Sequence, residues 1–207
     1  MKKKDAFQLF YFQLGTCASP DIDYKELKRV YRRPLRYYHT IDHALECVSN
    51  FEQLRGETCH ALEVEAALWY HDAIYFPQRN DNEEKSAEYA YEHFRAIGKA
   101  EAFCDLVRKL ILVTKHDLEP QSIEEKIVID VDLVVLARDE EGFAKYEKDI
   151  RQEYHFVPDE QYKDGRAKIL QSFLDRKCIY HTELFHEYYE EKARSNLEKS
   201  LAMLLGN

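Results

Sequence analysis

Apolar residues recur at helical spacing from one end of this 207-residue chain to the other. Spacings of three and four residues place such side chains on one face of an α-helix. The sequence has only six glycines and five prolines, too few for the many turns that an all-β fold requires. We therefore predict an all-α protein.

Local signals predict where several helices begin and end. Gly15 is expected to end the first helix, and Asp23 with Glu26 forms a capping-box pattern that opens the second. Ser122 with Glu125 forms the same pattern farther along the chain. Other helices are predicted over about residues 38–54 and 56–75, from Asp81 or Asn82 to Gly98, and over about 103–116, 143–154, 162–173 and 182–205. Because no repeat or linker interrupts them, we expect one helical domain over 1–207, with a metal-site core at about 31–137 and a helical C-terminal extension at about 141–207.

Composition excludes several classes of protein. The formal net charge of -9 argues against a general binder of long nucleic acid, which needs excess basic surface. No apolar run approaches the roughly 18 residues of a membrane span, and we interpret the segment MKKKDAFQLFYFQL as an amphipathic helix rather than a signal peptide. Five scattered cysteines favour reduced thiols over disulfides. We expect a soluble, cytoplasmic protein, whose last helix could form a homodimer contact.

Two aspartates, Asp130 and Asp132, interrupt the almost wholly apolar helical stretch IVIDVDLVVL. An ionised carboxylate is costly to bury unless a metal, a cation or a set of hydrogen-bond donors compensates it. Positions two residues apart point about 200° apart around a helix, so the two aspartates cannot both face one site. At least one therefore needs a specific partner, which is a metal, a helix terminus to cap, or an arginine such as Arg138 or Arg151.

Two further segments place histidines outside the apolar pattern. His71 and Asp72 end the apolar stretch in WYHDAIY, and side chains near a helix end can converge on one ion. His39 and His43 are four apart in RYYHTIDHALECV and share a helical face if the helix begins by His39. Such a pair can bind one metal, or one histidine can bind it while the other transfers protons. Taken alone, each segment is also typical of an exposed helix terminus.

Together, these segments supply two histidines and two aspartates from three separate helices. Such a set suits a six-coordinate divalent ion with positions left for water. Imidazole and carboxylate ligands favour Mn²⁺, Fe²⁺, Co²⁺, Ni²⁺ or Mg²⁺ over a thiolate-bound zinc. We therefore expect a divalent metal ion as cofactor, with a second ion as an alternative.

Other polar residues are candidates for the same site. His116 follows an amphipathic helix and either interacts with the helix dipole or faces the metal, where it binds phosphate or a second ion. Glu83 is either an acid in the first turn of a helix or a base that orients water. Four cations are candidates for binding a substrate phosphate, although each alone is typical of a surface charge: Arg36, Lys115, Arg151 and Arg166.

The ordered motif H…HD…D, formed by His43, His71–Asp72 and Asp132, resembles that of the HD superfamily of metal-dependent phosphohydrolases. The wider pattern is similar to the small bacterial branch of predicted HD phosphohydrolases. It extends over about residues 31–196 and includes RYYHTIDHALECV, ALWYHDAIYFPQRNDNEEKSA, LVTKH, IDVDLVVLA, IRQEY and YKDGRAKILQSFL. These segments are specific as an ordered set and weak singly. The resemblance implies an HD-domain-like helical bundle with the metal buried inside it.

The resemblance also implies roles for the individual residues. Related cyclic-nucleotide phosphodiesterases use a Y-H-N-x-x-H-A segment, whose first histidine donates a proton and whose second binds metal. By position, His39 is the expected acid and His43 the ligand, with Thr40 standing where those enzymes have Asn. The family places its last ligand before an apolar residue, as in A-D-L, which fits Asp132 better than Asp130. The expected metal ligands are thus His43, His71, Asp72 and Asp132, and the expected catalytic residues are His39, Asp72 and Glu83.

The implied activity is hydrolysis of a phosphate ester, a monoester or a diester such as a nucleotide, by metal-activated water. His39 is expected to donate a proton to the leaving group. One alternative is a di-iron oxygenase of the HD type, which His116 allows. Another is a non-catalytic module that binds a nucleotide, although the intact set of ligands argues against it. We expect a small phosphorylated substrate rather than long nucleic acid.

Overall fold

A computed structural model describes residues 3–206 of the chain. All regular secondary structure within these residues is helical, which confirms the all-α prediction. The α-helices are α1 (Lys3–Leu14), α2 (Pro20–Tyr31), α3 (Ile41–Phe51), α4 (Ala61–Tyr70), α5 (Asn82–Ala96), α6 (Glu101–Leu112), α7 (Ile123–Leu133), α8 (Glu140–Glu153), α9 (Asp159–Leu174) and α10 (Glu183–Leu205). Three short 3₁₀ helices lie at Arg55–Glu57, Val113–Lys115 and Val134–Ala137. Met1, Lys2 and Asn207, the ends of the predicted domain, lie outside the described residues.

Helix α4 lies at the centre of the fold. Its residues 64–70 are all buried, and it packs against α1, α3, α5, α6 and α7. A helix that is apolar on most faces is expected to be buried in this way. Because α4 ends directly before His71 and Asp72, the fold places this pair inside the bundle rather than at an exposed terminus.

The sequence predicts two helix starts from capping boxes, one at Asp23 and one at Ser122. Helix α2 begins at Pro20, so Asp23 lies inside the helix and the predicted capping box there is wrong. A proline in the first turn is tolerated because the first N–H groups of a helix have no intrahelical partner. The second capping box is confirmed: the Ser122 hydroxyl accepts the N–H of Glu125, and the Glu125 carboxylate accepts the N–H of Gln121.

Helix α3 also begins later than its sequence pattern predicts. It starts at Ile41, where the Thr40 hydroxyl accepts the N–H of Asp42 at 3.3 Å. A threonine N-cap satisfies one of the free N–H groups of the first turn and so determines where the helix begins. His39 precedes this cap. His39 and His43 therefore do not share a helical face, and their side chains reach the site from different backbone settings.

Helices α8 to α10 are attached to the end of α7. Helices α8 and α10 both pack against the 3₁₀ helix Val134–Ala137, and α10 packs along α9. Asp130 on α7 joins this part of the fold to the start of α10. Its carboxylate accepts the N–H of His181, the N–H of Thr182 and the hydroxyl of Thr182, each at 2.7 Å. Asp130 is thus bonded to α10 and not to Arg138 or Arg151.

Candidate metal centre

Three helices in mutual contact bring the predicted ligands together. Helix α3 carries His43 in its first turn, α4 ends directly before His71, and α7 carries Asp132 in its last turn. These helices pack against one another. With Cys47, one turn after His43, these residues place their ligand atoms within 4.8 Å of one another. This buried cluster could hold a metal ion.

The separations between the ligand atoms suit a single ion. His43 Nε2 lies 2.9 Å from Asp132 Oδ1 and 3.2 Å from His71 Nε2. Asp72 Oδ2 lies 3.2 Å from His71 Nε2 and 3.7 Å from His43 Nε2. Two ligands at right angles, each about 2.1 Å from a metal, stand about 3 Å apart. The atoms of His43, His71 and Asp132 lie 2.9–3.5 Å apart and Asp72 Oδ2 lies within 3.7 Å of both histidines, which suits ligands of one divalent ion.

The imidazoles of His43 and His71 both direct Nε2 toward the cluster, and in each ring Nδ1 contacts another group. His71 Nδ1 lies 2.9 Å from the carbonyl of Leu68. Because a carbonyl only accepts, Nδ1 carries a proton, so Nε2 is the nitrogen that a metal would bind in place of a proton. Burial acts to lower the pKa of His71, but Asp72 and Asp132 raise it well above its usual value. The Tyr38 hydroxyl lies 3.1 Å from Nδ1 of His43. Contacts of this kind fix the ring orientation in histidine metal ligands.

Electrostatics favour ionised aspartates in the cluster. Burial acts to raise the pKa of Asp132, but hydrogen bonds from the neighbouring histidines hold it well below its usual range. The pKa of Asp72 is likewise lowered against burial, chiefly by His71. Within the described residues, the buried Oδ2 of Asp72 has no hydrogen-bond partner. A buried anionic oxygen without a donor is well matched to a metal cation.

Cys47 is the member of the cluster that the sequence analysis did not select. Its spacing of four residues from His43 was a usable signal, because it places both side chains on one face of α3. The Sγ atom lies 3.8 Å from His43 Nε2. Burial raises the pKa of the thiol well above its usual value, and only the thiolate is a good metal ligand. Cys47 is therefore close to the ion position but chemically a weaker ligand than Asp72.

His39 stands beside the cluster, where Glu153 at the end of α8 holds it. Glu153 Oε2 lies 2.6 Å from His39 Nδ1. Its Oε1 accepts the backbone N–H groups of Tyr37, Tyr38 and His39 at 2.8–3.0 Å. The ring of Tyr75 stacks on the imidazole with centroids 3.9 Å apart. With Nδ1 occupied by Glu153, Nε2 is the nitrogen available to a ligand.

The same contacts favour a protonated His39. Burial acts to lower the pKa of His39, but the carboxylates of Asp72 and Glu153 raise it above its usual value. In return, His39 lowers the pKa of Glu153 despite burial. Glu153 lies within the segment IRQEY, but its separation of 114 residues from His39 gave no sequence signal for their contact.

Arg36 contacts the backbone of the site instead of lining the cavity. Its guanidinium donates to the carbonyls of Asp72 at 2.7 Å, Ala73 at 3.0 Å and His39 at 3.2 Å. These bonds tie the segment after α4 to the segment before α3. Substrate binding by Arg36 stays a prediction, and its Nη1 and Nη2 donors instead position the backbone that carries His39 and Asp72.

Arg151 and Arg166 also have partners within the protein. Arg151 donates to two backbone carbonyls and to Asp159 at 2.6 Å, and it does not line the cavity described below. Substrate binding by Arg151 likewise stays a prediction that these contacts do not support. Arg166 does line that cavity, but it is buried and paired with Glu147 at 2.5 Å.

Three other predicted residues lie on the cavity wall near the cluster. His116 Nε2 is 3.0 Å from Asp132 Oδ2. One oxygen of the Asp132 carboxylate therefore contacts His116, and the other contacts His43. Lys115 pairs with Glu84 at 2.5 Å. Burial raises the pKa of Glu83, and the nearby charge of Asp72 adds to the effect.

These groups line a cavity of about 690 Å³, a size typical of small-molecule sites. Its lining includes His39 and three of the predicted metal ligands, His71, Asp72 and Asp132. The wall formed by α8, α9 and the segment between them is largely aromatic and aliphatic, with Tyr146, Ile150, Tyr154, Val157, Tyr162, Ile169 and Phe173. The cavity therefore combines titratable side chains with an apolar wall.

Comparisons with protein-family models, curated proteins and solved structures find no match to this chain. Among the helices of residues 3–206, none has the length and apolar character needed to cross a membrane. The function is therefore inferred from the motifs of the sequence and the residues of the site.

Proposed function

We propose that this protein is a cytoplasmic metal-dependent phosphohydrolase of the HD type that acts on a small phosphate ester. One observation carries the proposal: four candidate ligands from three helices converge beside a histidine that Glu153 holds, at a cavity of small-molecule size. The ligands are His43, His71, Asp72 and Asp132, and the ordered motif that contains them supports the same activity. Their nitrogen and oxygen atoms suit Mn²⁺, Fe²⁺, Co²⁺, Ni²⁺ or Mg²⁺.

A divalent ion at the cluster supplies a Lewis acid that polarises a phosphoryl oxygen and lowers the pKa of water. The protein residues hold that ion and keep its ligands in their metal-binding forms. His71 does so through the bond from Nδ1 to the Leu68 carbonyl. Arg36 contributes indirectly by binding the backbone on both sides of the site.

His39 acts as the general acid for the leaving alkoxide. Its protonated ring is oriented by Glu153 at Nδ1 and by stacking on Tyr75, so Nε2–H is the proton that can be given up. A positioned general acid typically accelerates such a step by about 10²–10⁴-fold. Glu83, whose pKa is raised by burial, lies on the same cavity wall and is suited to accept a proton from water or to orient it.

The first experiment measures metal content together with turnover. Purified protein is analysed for bound metals and assayed with p-nitrophenyl phosphate and bis-p-nitrophenyl phosphate in Mn²⁺, Co²⁺, Ni²⁺ and Mg²⁺. His71→Ala is expected to lose both metal and turnover. His60→Ala is the matched control, because His60 is half exposed and contacts Glu63 rather than the cluster. Turnover that persists in His71→Ala and in excess chelator would rule out the proposal.

A di-iron oxygenase is the second candidate, and the position of His116 favours it. The Asp132 carboxylate contacts His43 through Oδ1 and His116 through Oδ2, so it could bridge two ions. Two irons per chain with dioxygen consumption, and no ester hydrolysis, would support this activity instead.

A further inference from the structure

Four lysine and arginine side chains line the cavity, and three of them are neutralised by a carboxylate. Arg79 pairs with Asp81 at 2.7 Å, Lys115 with Glu84 at 2.5 Å and Arg166 with Glu147 at 2.5 Å. Each of these cations thus has its counter-ion within the protein. The fourth cation is Arg176, which follows α9.

Arg176 has no such partner. Among residues 3–206, no carboxylate oxygen lies within 4.0 Å of its guanidinium. One nitrogen, Nη2, donates to the carbonyl of His116 at 2.9 Å, and the guanidinium lies 4.5 Å from the ring centre of Phe173. Burial lowers the pKa of Arg176, although the more distant charges of Glu119 and Asp117 act to raise it.

The Arg176 guanidinium is partly buried, and its charge has no paired carboxylate among the described residues. It has lost part of its hydration, yet most of its five N–H donors have no protein acceptor. The planar arrangement of these donors matches two oxygens of a phosphate or carboxylate group. The missing partner is therefore expected to be an oxyanion that enters the cavity.

The position of Arg176 connects it to the metal cluster. The residue whose carbonyl it binds, His116, places its own imidazole 3.0 Å from Asp132. His116 adopts a left-handed backbone conformation with φ 59°, which is uncommon for a residue with a side chain. This conformation lets one residue contact Arg176 through its carbonyl and Asp132 through its ring.

We propose that Arg176 binds an oxyanion of the ligand, a phosphate group in the first instance, at the cavity wall next to the metal cluster. That this ligand is a substrate rests on the proposed function, whereas the oxyanion site itself does not. The phosphate can be the reacting group or a second anionic group of the same molecule. Arg176 thus takes the role that the sequence analysis assigned to Arg36 and Arg151.

The test compares two arginines of the same cavity. Binding of inorganic phosphate is measured by calorimetry and by thermal stabilisation, using metal-loaded wild type, Arg176→Gln and Arg79→Gln. Arg176→Gln is expected to weaken phosphate binding by on the order of 10-fold or more, because charge-assisted bonds are lost. Arg79→Gln removes the same charge from an arginine already paired with Asp81, so a change below about 2-fold is expected.

Folding and metal content of each variant are checked by circular dichroism and metal analysis. Arg176→Lys retains the charge and a donor for the His116 carbonyl but lacks the planar guanidinium, so intermediate phosphate affinity is expected. Phosphate affinity in Arg176→Gln equal to that of wild type, or an equal loss in Arg79→Gln, overturns the inference.

Ester assays separate this inference from the proposed function and distinguish the two sources of phosphate. Loss of turnover for every ester in Arg176→Gln identifies the reacting phosphoryl group as the ligand. A raised KM confined to substrates with a second phosphate identifies that group instead. If phosphate binding depends on Arg176 but no ester is hydrolysed, the oxyanion site is supported and the hydrolase activity is not. If esters are hydrolysed with unchanged KM in Arg176→Gln, the hydrolase is supported and the role of Arg176 is not.

Discussion

Helix α7 carries two aspartates, Asp130 buried and Asp132 partly buried, that differ in the chemistry of their partners. Asp130 accepts hydrogen bonds from backbone N–H groups and one hydroxyl at the start of α10. Asp132 instead contacts the imidazole nitrogens of three histidines, namely His43, His71 and His116. The first set of donors is permanent, whereas imidazoles can give up a proton and bind a metal. The partners therefore distinguish Asp130, which stabilises the fold, from Asp132, which belongs to the candidate metal centre.

Two other buried acids extend the comparison. Glu190 on α10 accepts the N–H groups of Ile179 and Tyr180 and also pairs with Arg194 at 2.7 Å, but it does not line the cavity. Glu153 combines both kinds of partner, since it accepts three backbone N–H groups and also contacts the His39 imidazole. Glu153 is therefore expected to affect both folding and activity.

The largest difference is expected between Asp132→Asn and Asp130→Asn. Asp132→Asn removes a charged ligand, so metal affinity should fall by at least about 100-fold, the upper end of losses seen for residues behind the ligands. Turnover should be lost with the metal. Asp130→Asn should keep the metal content of wild type. Metal analysis and Co²⁺ titration measure both, and equal metal loss in the two variants would contradict the distinction.

Glu153→Gln tests the glutamate that binds both backbone N–H groups and the His39 imidazole. The amide still offers an oxygen to the backbone but no longer stabilises a charged His39, so turnover should fall about 100-fold with metal content unchanged. Because Glu153 raises the pKa of His39, its loss should move the alkaline limb of the pH–rate profile to lower pH. Glu190→Gln is the matched control and should leave both rate and profile intact. An unmoved profile in Glu153→Gln would show that Glu153 only supports the backbone.

Asp130→Ala should lower stability without affecting the metal centre. The substitution leaves two buried N–H groups and a hydroxyl without their acceptor, at an expected cost of about 3 kcal/mol in the free energy of unfolding. Urea unfolding measures this change, and Co²⁺ titration should return the wild-type affinity. A loss well below 1 kcal/mol would mean that water replaces the carboxylate at the start of α10.

The pH dependence of stability should also separate the two aspartates. Burial raises the pKa of Asp130 to about 6, so the stability it contributes is full below its unfolded pKa and is lost as pH rises through 6. A shift of about two pKa units corresponds to about 3 kcal/mol at most. In chelator, the stability of wild type relative to Asp130→Asn should fall by up to this amount between about pH 4 and pH 6.

Asp132→Asn provides the contrast, because the pKa of Asp132 lies well below its usual range. The stability contributed by Asp132 is present above its unfolded pKa and is lost only as pH falls below about 4. Asp132→Asn should therefore leave the slope between pH 4 and pH 6 unchanged. An equal change of slope in both variants would remove the electrostatic distinction between the two sites.

The parts of the fold that the sequence predicted are those governed by local interactions. Ser122 caps α7 as expected, since its partner Glu125 is three residues away. The start of α2 was missed because Pro20 provides a signal that competes with the pattern at Asp23. The start of α3 was missed because an N-cap at Thr40 excludes His39 from the helix.

In the candidate site, too, only features with a local sequence signal could be predicted. Asp132 and His71 could be selected because polar side chains in apolar stretches need compensation, and this is visible within a few residues. The partners of arginines and glutamates depend on distant segments: Arg36 binds a carbonyl 36 residues away, and Arg176 one 60 residues away. Sequence spacing therefore identified candidate ligands but could not show which cations already have partners within the protein.

The smallest effect is expected from Cys47→Ala, which tests whether the metal prefers the aspartate or the thiol. If Asp72 completes the ligand set, the variant should change metal affinity by less than about 2-fold, because a protonated thiol binds metal poorly. Stability should fall by about 1 kcal/mol from the lost core packing. Co²⁺-loaded wild type should then lack a sulfur-to-cobalt charge-transfer band in the near ultraviolet. If that band is present in wild type and absent in Cys47→Ala, Cys47 is a ligand, and a buried thiol releases its proton beside Asp132 when the metal binds.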